Sequence, residues 1–325
     1  MTVLGLDIGG ANLKAATSDN RAISVPFALW KQPDQLPAAL TELVARFPDA
    51  NELAITMTGE LCDCYETKRQ GVNAILDAAA FSAKGRPVRV WSTAGKFVGI
   101  SEARQNHLGV AAANWHALAT FAGRFAPHRG ALLIDIGSTS TDVIPLRDGV
   151  PAARGLTDRD RLQSRELVYL GVRRTPVFAI VPDRVCAELF ATTQDAFVIL
   201  GLLPEDAADC ETANGQSLTH GHCLTRLARV KGADREELSE AAIVAFAGEV
   251  HMRMVQLVAE AAKYACTDPE TAIVSGAGEF LARQAIAASF PGAPIVSLNE
   301  ALGPEISACA PAFALTQIWA LQPGV

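Results

Sequence analysis

Positive charge is in short supply: 28 Lys and Arg face 35 Asp and Glu over 325 residues, a formal net charge of -7. No broad basic field is available to track nucleic acid or an anionic membrane, and a small-molecule substrate fits better. No apolar run reaches the roughly 18 residues of a membrane-spanning helix. The opening Val3-Leu4-Gly5-Leu6-Asp7 follows no basic start and no apolar signal core, so the cytoplasm is the expected compartment. Seven scattered cysteines make an odd count without a disulfide framework, and reduced thiols are expected. No low-complexity linker interrupts the chain. What is present is apolar: 50% hydrophobic against 19% charged residues, enough for a large core in one bilobal unit or two domains.

Short β-branched or apolar runs alternate with segments of helical period, the pattern of an α/β protein. Val3 to Ile8 reads as a strand, Gly9-Gly10-Ala11-Asn12 as a tight turn and Leu13 to Thr17 as a return strand. Ala131 to Ile136, Gly137-Ser138-Thr139-Ser140 and Thr141 to Pro145 repeat that plan, which points to a folded duplication of two similar half-domains. The boundary is expected at the turn-rich Ala126-Pro127-His128-Arg129-Gly130, giving lobes 1–128 and 129–325. Leu36 to Phe47, Val72 to Phe81 and Asn114 to Phe125 carry helical spacing, and Glu52 to Thr58 and Val88 to Trp91 read as buried strands. Arg147 to Thr193 is a polar stretch with no assigned elements. A long helix is expected over Arg235 to Cys266, and a strand, glycine turn and helix at Ala272 to Glu279.

A turn presenting successive backbone N–H groups can hold phosphate oxygens, because glycine leaves no side chain in the way. Gly9, Gly10 and Asn12 offer one such cradle; Gly137, Ser138 and Thr139 offer another. Asp7 and Asp135 end the strands that feed these turns, and with Asp142 they are candidate Mg2+ ligands, directly or through water. Either loop alone is ordinary hairpin chemistry. Two of them, followed by the Ser275-Gly276-Ala277-Gly278 turn, resemble the phosphate and nucleoside segments of the actin-like ATPase superfold to which hexokinase belongs, a resemblance that implies two ribonuclease-H-like α/β lobes with a central cleft.

Leu6-Asp7-Ile8-Gly9-Gly10-Ala11-Asn12 is one of several stretches that carry a closer resemblance. The others are Met57-Thr58-Gly59-Glu60-Leu61 with Asp63-Cys64-Tyr65 and Thr67-Lys68, Gly95-Lys96-Phe97, Ala113-Asn114-Trp115, and Asp135-Ile136-Gly137-Ser138-Thr139 with Thr141-Asp142. Glu166-Leu167-Val168-Tyr169 with Gly171-Val172, and Arg174-Thr175-Pro176, complete the set. Across nearly its whole length the chain resembles the hydantoinase A-like family linked to tetrahydromethanopterin C1 metabolism. The resemblance implies a transferase that joins an aminomethylfuran-methanol diphosphate to γ-glutamyltyramine as an aryl ether and releases diphosphate, which would turn a phosphate cradle into a leaving-group cradle.

Glu60 and Asp63 lie just past a buried strand, where they could deprotonate the phenol or bind the substrate amine; a capped helix start explains them equally. Asp7, Glu60, Asp63 and Asp135 are thus the candidate catalytic residues. Lys14 is a candidate for the diphosphate, and Lys68 and Arg174 are candidates for substrate anions, with Lys96 and Arg173 behind them. Asn114 and Trp115 could wall an aromatic pocket, although Trp91, Trp115 and Trp319 also suit the core. Cys62-Asp63-Cys64 and His220-Gly221-His222-Cys223 lack the paired spacing of a zinc site. Two rivals remain open. One is an ATP-dependent kinase or hydantoin-type hydrolase of the same superfold, opposed by Ala11-Asn12 where such kinases carry threonine after the glycines; the other is a non-catalytic nucleotide-binding protein. The sequence sets no oligomeric state and leaves a dimer open.

Overall fold

Val3–Ile8 is buried at every position, as a central strand covered on both faces requires. In the computed structural model, which describes residues 2–321, this strand (β1) organises the first sheet. It pairs antiparallel with β2 (Asn12–Thr17), which pairs antiparallel with β3 (Ala22–Pro26). On its other side β1 pairs parallel with β4 (Glu52–Met57), and β4 pairs parallel with β5 (Val88–Ser92). Parallel neighbours need a crossover. The helices Leu36–Ala45 and Lys68–Ala83 supply the two that this sheet uses. β6 (Lys96–Gly99) closes the order β3-β2-β1-β4-β5-β6. Leu4, Leu6, Ile8, Ile55 and Met57 form the core with Leu40, Val72, Ile75 and Leu76 of the helices.

The second sheet repeats the plan. β7 (Gly130–Ile136) and β8 (Thr141–Arg147) form the hairpin, with β9 (Val150–Pro151) beside β8. β10 (Leu167–Val168) lies outside β8, and β11 (Thr271–Ser275) and β12 (Ile295–Ser297) lie beyond β7. The resulting order, β10-β8-β7-β11-β12, matches β3-β2-β1-β4-β5 position for position. This is the actin-like ATPase superfold, built on two ribonuclease-H-like sheets.

The compact units interleave along the chain instead of dividing near residue 128. One comprises Met1–Leu133, Ile144–Ser164 and Val296–Val325; the other Ile134–Val143 and Arg165–Ile295. The physical reason lies at the C-terminal end of the first unit. The Ala310–Trp319 helix, buried at Ala310, Ala312, Phe313, Ala314 and Leu315, covers β1 and lies against the Asn114–Ala122 helix. Gly5 makes this possible: a Cβ there would lie 1.9 Å from the Ala312 carbonyl oxygen.

In the second unit the long helix runs Glu240–Ala265, starting at a Ser239 cap rather than at Arg235. By length and composition this 26-residue helix, with an 18-residue window of mean hydropathy 1.3, could cross a membrane, contrary to the sequence expectation. Its stripe of Ile243, Ala247, Val250, Met254 and Val258 is buried, and it packs on the Glu279–Ser289 helix as a core helix does. Nearby, the Thr193–Ile199 and His220–Val230 helices are joined by a fully buried ion pair, with Arg226 Nη2 2.7 Å from Asp195 Oδ1.

Candidate functional site

The β1–β2 turn closes with the Gly9 N–H donating to the Asn12 carbonyl at 3.0 Å. The Gly10 and Ala11 carbonyls are held by the N–H groups of Leu29 and Phe27, each at 2.9 Å. The N–H groups of Gly10 and Ala11 are left without a hydrogen-bond partner among the described residues. The β7–β8 turn is built alike. Gly137 N–H donates to the Ser140 carbonyl at 2.9 Å, the Gly137 carbonyl accepts from Val172, and the Ser138 carbonyl accepts from Arg173 and Arg174, each at 3.0 Å. Here the N–H groups of Ser138 and Thr139 lack a partner among the described residues. Each turn therefore spends its carbonyls on its own unit and keeps consecutive donors for an anion.

The charges beside the two turns differ. In the first hairpin Asp7 stands opposite Lys14 on the neighbouring strand. Asp7 is buried, its Oδ1 has no partner, and burial pushes its carboxyl up while Lys14 pulls it down. In the second hairpin Asp142 occupies the place that Lys14 holds in the first, two residues past the carbonyl that closes the turn. Asp142 is buried and pairs across to Leu167. Asp135 Oδ1 sits where a Cβ on Gly276 would come within 2.7 Å of it, so Gly276, at φ +87, brings the Ser275–Gly278 turn against this aspartate.

Among the described residues no three His, Cys, Asp or Glu side chains cluster as a ready metal cage. The chemistry that fits is a hard cation taking one or two carboxylates, with its other positions going to phosphate and water, which is how Mg2+ is usually held. The orphaned buried Oδ1 of Asp7 suits that role.

Directly behind the first turn lies the segment that follows β4. Thr58 and Gly59 both donate their N–H to the Ile8 carbonyl, and a Cβ on Gly59 would lie 3.2 Å from Gly9 C and 3.3 Å from Gly10 N. The next residue, Glu60, is buried, and its Oε2 has no partner. Burial pushes its carboxyl up to about 7, opposed by its own N–H, by Lys68 and by the Ala112 N–H, and assisted by Asp158. Ala112 reaches it from the left-handed region, at φ +46, a conformation that costs a residue with a Cβ free energy.

Around Glu60 the first unit gathers a polar cluster. Lys68 follows the helix cap Thr67, whose hydroxyl accepts from Gln70 N–H, and its Nζ lies 3.5 Å from Asp158 Oδ2. Asp158 Oδ1 lies 3.7 Å from Arg161 Nη1, and the Arg161 guanidinium stacks 4.2 Å above the Trp115 ring. Trp115 is buried with its Nε1 unpartnered, and burial, with Arg161 adding to it, pushes the neighbouring His116 down to about 4, so His116 is neutral at ordinary pH.

Sequence reasoning missed Ala112, His116, Asp158 and Arg161. The one signal was Thr157-Arg161 itself, where Thr157 caps the Asp158–Gln163 helix by accepting from the Asp160 N–H. Asn114 opens the Asn114–Ala122 helix that carries Trp115. Asp63 is exposed in the turn beyond Glu60. Arg174 helps close the second turn through its backbone, Arg173 pairs with Asp209 at 2.6 Å, and Lys96 pairs with Glu102 on the surface. Cys223 packs against Arg226, and His222 Nδ1 bonds to Ser217. Trp91 and Trp319 each meet Phe97 edge-on at 4.9 Å.

The hydantoinase/oxoprolinase family model matches residues 52–319. A (4-{4-[2-(gamma-L-glutamylamino)ethyl]phenoxymethyl}furan-2-yl)methanamine synthase from Methanocaldococcus jannaschii is 35% identical over 97% of both chains. A synthase of the same name from Methanococcus vannielii is 28% identical, over 58% of this chain and 90% of its own. Among solved structures, nucleotide-free acetone carboxylase superposes with a TM-score of 0.55 at 11% identity, over 97% of this chain and 70% of its own, a likeness of fold. Family match and near full-length relative agree, and the chain belongs to the hydantoinase/oxoprolinase family.

Proposed function

We propose that this chain is a transferase of methanofuran biosynthesis that joins an aminomethylfuran-methanol diphosphate to γ-glutamyltyramine, forming an aryl ether and releasing diphosphate. The observation that carries this reading is the 35% identity to the synthase over 97% of both chains, which leaves almost no part of that relative without a counterpart. The geometry adds a chemical rationale. The donors of Gly10 and Ala11 suit the diphosphate, and Glu60 follows directly on the glycine that abuts that turn.

In the reaction the phenol oxygen forms a bond to the furan methylene as the bond from that methylene to the diphosphate oxygen breaks. The bonding pair leaves on diphosphate, and the phenol proton goes to the Glu60 carboxylate. A carboxyl at about 7 takes a phenol proton far better than an ordinary surface carboxylate, and still ionises near neutral pH. Fixed N–H donors at Gly10 and Ala11 match the charge that develops on the leaving group, and the second unit offers the same kind of donors at Ser138 and Thr139. Asp7 would hold Mg2+ at the first turn, and Asp135 and Asp142 at the second. Bound Mg2+ would supply further neutralisation of the departing diphosphate. Lys68 suits the acceptor end as a cation for a carboxylate, whereas Trp115, buried with Arg161 stacked over its ring, belongs to the core. The compartment in this reading is the cytoplasm, where the diphosphate substrate would be made.

Incubating the pure protein with Mg2+, the furan-methanol diphosphate and γ-glutamyltyramine tests the reading. Ether and diphosphate in equal amounts are expected without ATP. Absence of ether under these conditions, with the protein folded, would overturn it.

A further inference from the structure

Asp158 comes from a six-residue helix, Asp158–Gln163, 98 residues beyond Glu60 in sequence, yet it reaches the Glu60 cluster inside the first unit. Its two oxygens serve different cations. Oδ2 lies 3.5 Å from Lys68 Nζ, and Oδ1 lies 3.7 Å from Arg161 Nη1. The Lys68 and Asp158 side chains are 22% and 23% exposed, while Glu60 behind them is 1% exposed, so the pair marks the solvent side of the cluster. Arg161 is pinned between Asp158 and the face of Trp115.

We propose that Asp158 is a positioning residue for the transfer reaction, holding the Lys68 ammonium in a pair of its own so that the Glu60 carboxylate stays available to the acceptor hydroxyl. The inference rests on Glu60 being the base. Lys68 and Glu60 lie close enough to influence each other, and without a second acid Lys68 would settle on Glu60 as its only anionic neighbour in the cluster. The groups that act on Glu60 are its own N–H, Lys68 from the Lys68–Ala83 helix, Asp158 from the Asp158–Gln163 helix and the Ala112 N–H from the segment before Asn114. Arg161 adjoins Asp158, and His116, kept neutral by burial, lies beside Trp115. Among these Asp158 is the one carboxylate able to take up Lys68.

Two readouts separate this from a structural role. The first is the pH profile of kcat/KM; the second is the titration of the Glu60 carboxyl in the resting protein by isotope-edited infrared difference spectra, with Glu60→Gln as the blank. Asp158→Asn is expected to lower the acid midpoint in both by about one pH unit, and Lys68→Gln to raise it by a similar amount, because one change removes a repelling charge and the other an attracting one. Asp158→Glu, which keeps the charge, is expected to restore the wild-type midpoint. A slower Asp158→Asn enzyme with both midpoints unmoved would overturn the proposal. Should Asp158→Asn not fold, Lys68→Gln carries the test, and an unmoved midpoint there overturns it equally. Full activity of Glu60→Gln would instead remove Glu60 as the base, a failure that the infrared titration keeps separate.

Discussion

A Cβ placed on Gly71 would lie 2.1 Å from the carbonyl oxygen of Glu60 and 2.7 Å from its carbonyl carbon. Gly71 is the fourth residue of the Lys68–Ala83 helix, so this helix reaches the Glu60 turn backbone to backbone. In an unobstructed helix, glycine to alanine gains up to about 1 kcal/mol. Gly71→Ala is expected to have the opposite sign, losing about 1–3 kcal/mol as the helix is forced off the turn, with a fall in kcat as Glu60 shifts. Gly248→Ala supplies the contrast, since a Cβ there meets nothing within 4 Å in the Glu240–Ala265 helix. Thermal melts that show both variants stabilised would refute the close approach.

Glu60 should be a residue whose removal strengthens the fold and weakens the enzyme. Burial raises its carboxyl from 4.5 to about 7, so the folded protein holds a proton that the unfolded chain has already released across that interval. Stability therefore falls as pH rises from 4.5 to 7 on account of this group, and the loss is complete above 7. At pH 8 Glu60→Gln is expected to be more stable than wild type by up to about 3 kcal/mol, with the gap closing toward pH 4. Its rate should drop by about 100-fold or more. Denaturant melts at both pH values check the first statement; a gap that does not depend on pH would show that Glu60 is not buried as a raised acid.

The two hairpins were legible because their chemistry is local. Strand, glycine turn and return strand lie within 15 residues, and Gly9 and Gly137 close their turns through the same hydrogen bond. Helix and strand boundaries came within a few residues where apolar period was strong, as at Leu36–Ala45 and Val88–Ser92. The Lys68–Ala83 helix starts four residues before its apolar stripe, because Thr67 caps it through a side chain that carries no hydrophobic signal. The Asp158–Gln163 helix was hidden for a different reason. Its polar sequence resembles a loop, and only folding sets Arg161 on Trp115 and Asp158 beside Lys68. The placement of the Ala310–Trp319 helix on β1 is equally non-local, and Gly5 carries the sole local hint of it.

Asp195 and Arg226 give a stability test within the second unit. Neither side chain is exposed, and two guanidinium nitrogens bond the same Asp195 oxygen at 2.7 and 2.8 Å. Asp195→Asn would leave the Arg226 charge buried without its counter-ion, and a loss of about 3–5 kcal/mol is expected. The double change Asp195→Asn with Arg226→Met should cost less than Asp195→Asn alone, since no charge is then stranded. Urea denaturation of the three variants decides it, and a double variant that falls as the sum of the two single losses would show that the pair is not coupled.

Nucleotide separates the transferase from an ATP-consuming enzyme of the same superfold. The Ser275–Gly278 turn, the segment expected to face a nucleoside in the rival reading, stands against Asp135. The proposed transfer nevertheless balances without ATP: one C–O bond breaks, one forms, and diphosphate carries away the electron pair. Ether synthesis is therefore expected to release no ADP, and ATP should at most compete with the furan diphosphate for the donors at Gly10 and Ala11. Diphosphate should raise the melting temperature when Mg2+ is present and lose that effect on chelation, as a ligand bound to the native state through a bridging ion does. Initial rates at several concentrations of both compounds, with ADP measured alongside ether, distinguish the cases. A competitive pattern with no ADP supports leaving-group cradles, whereas ADP formed one for one with product would replace the transfer mechanism while leaving the geometry of both turns intact.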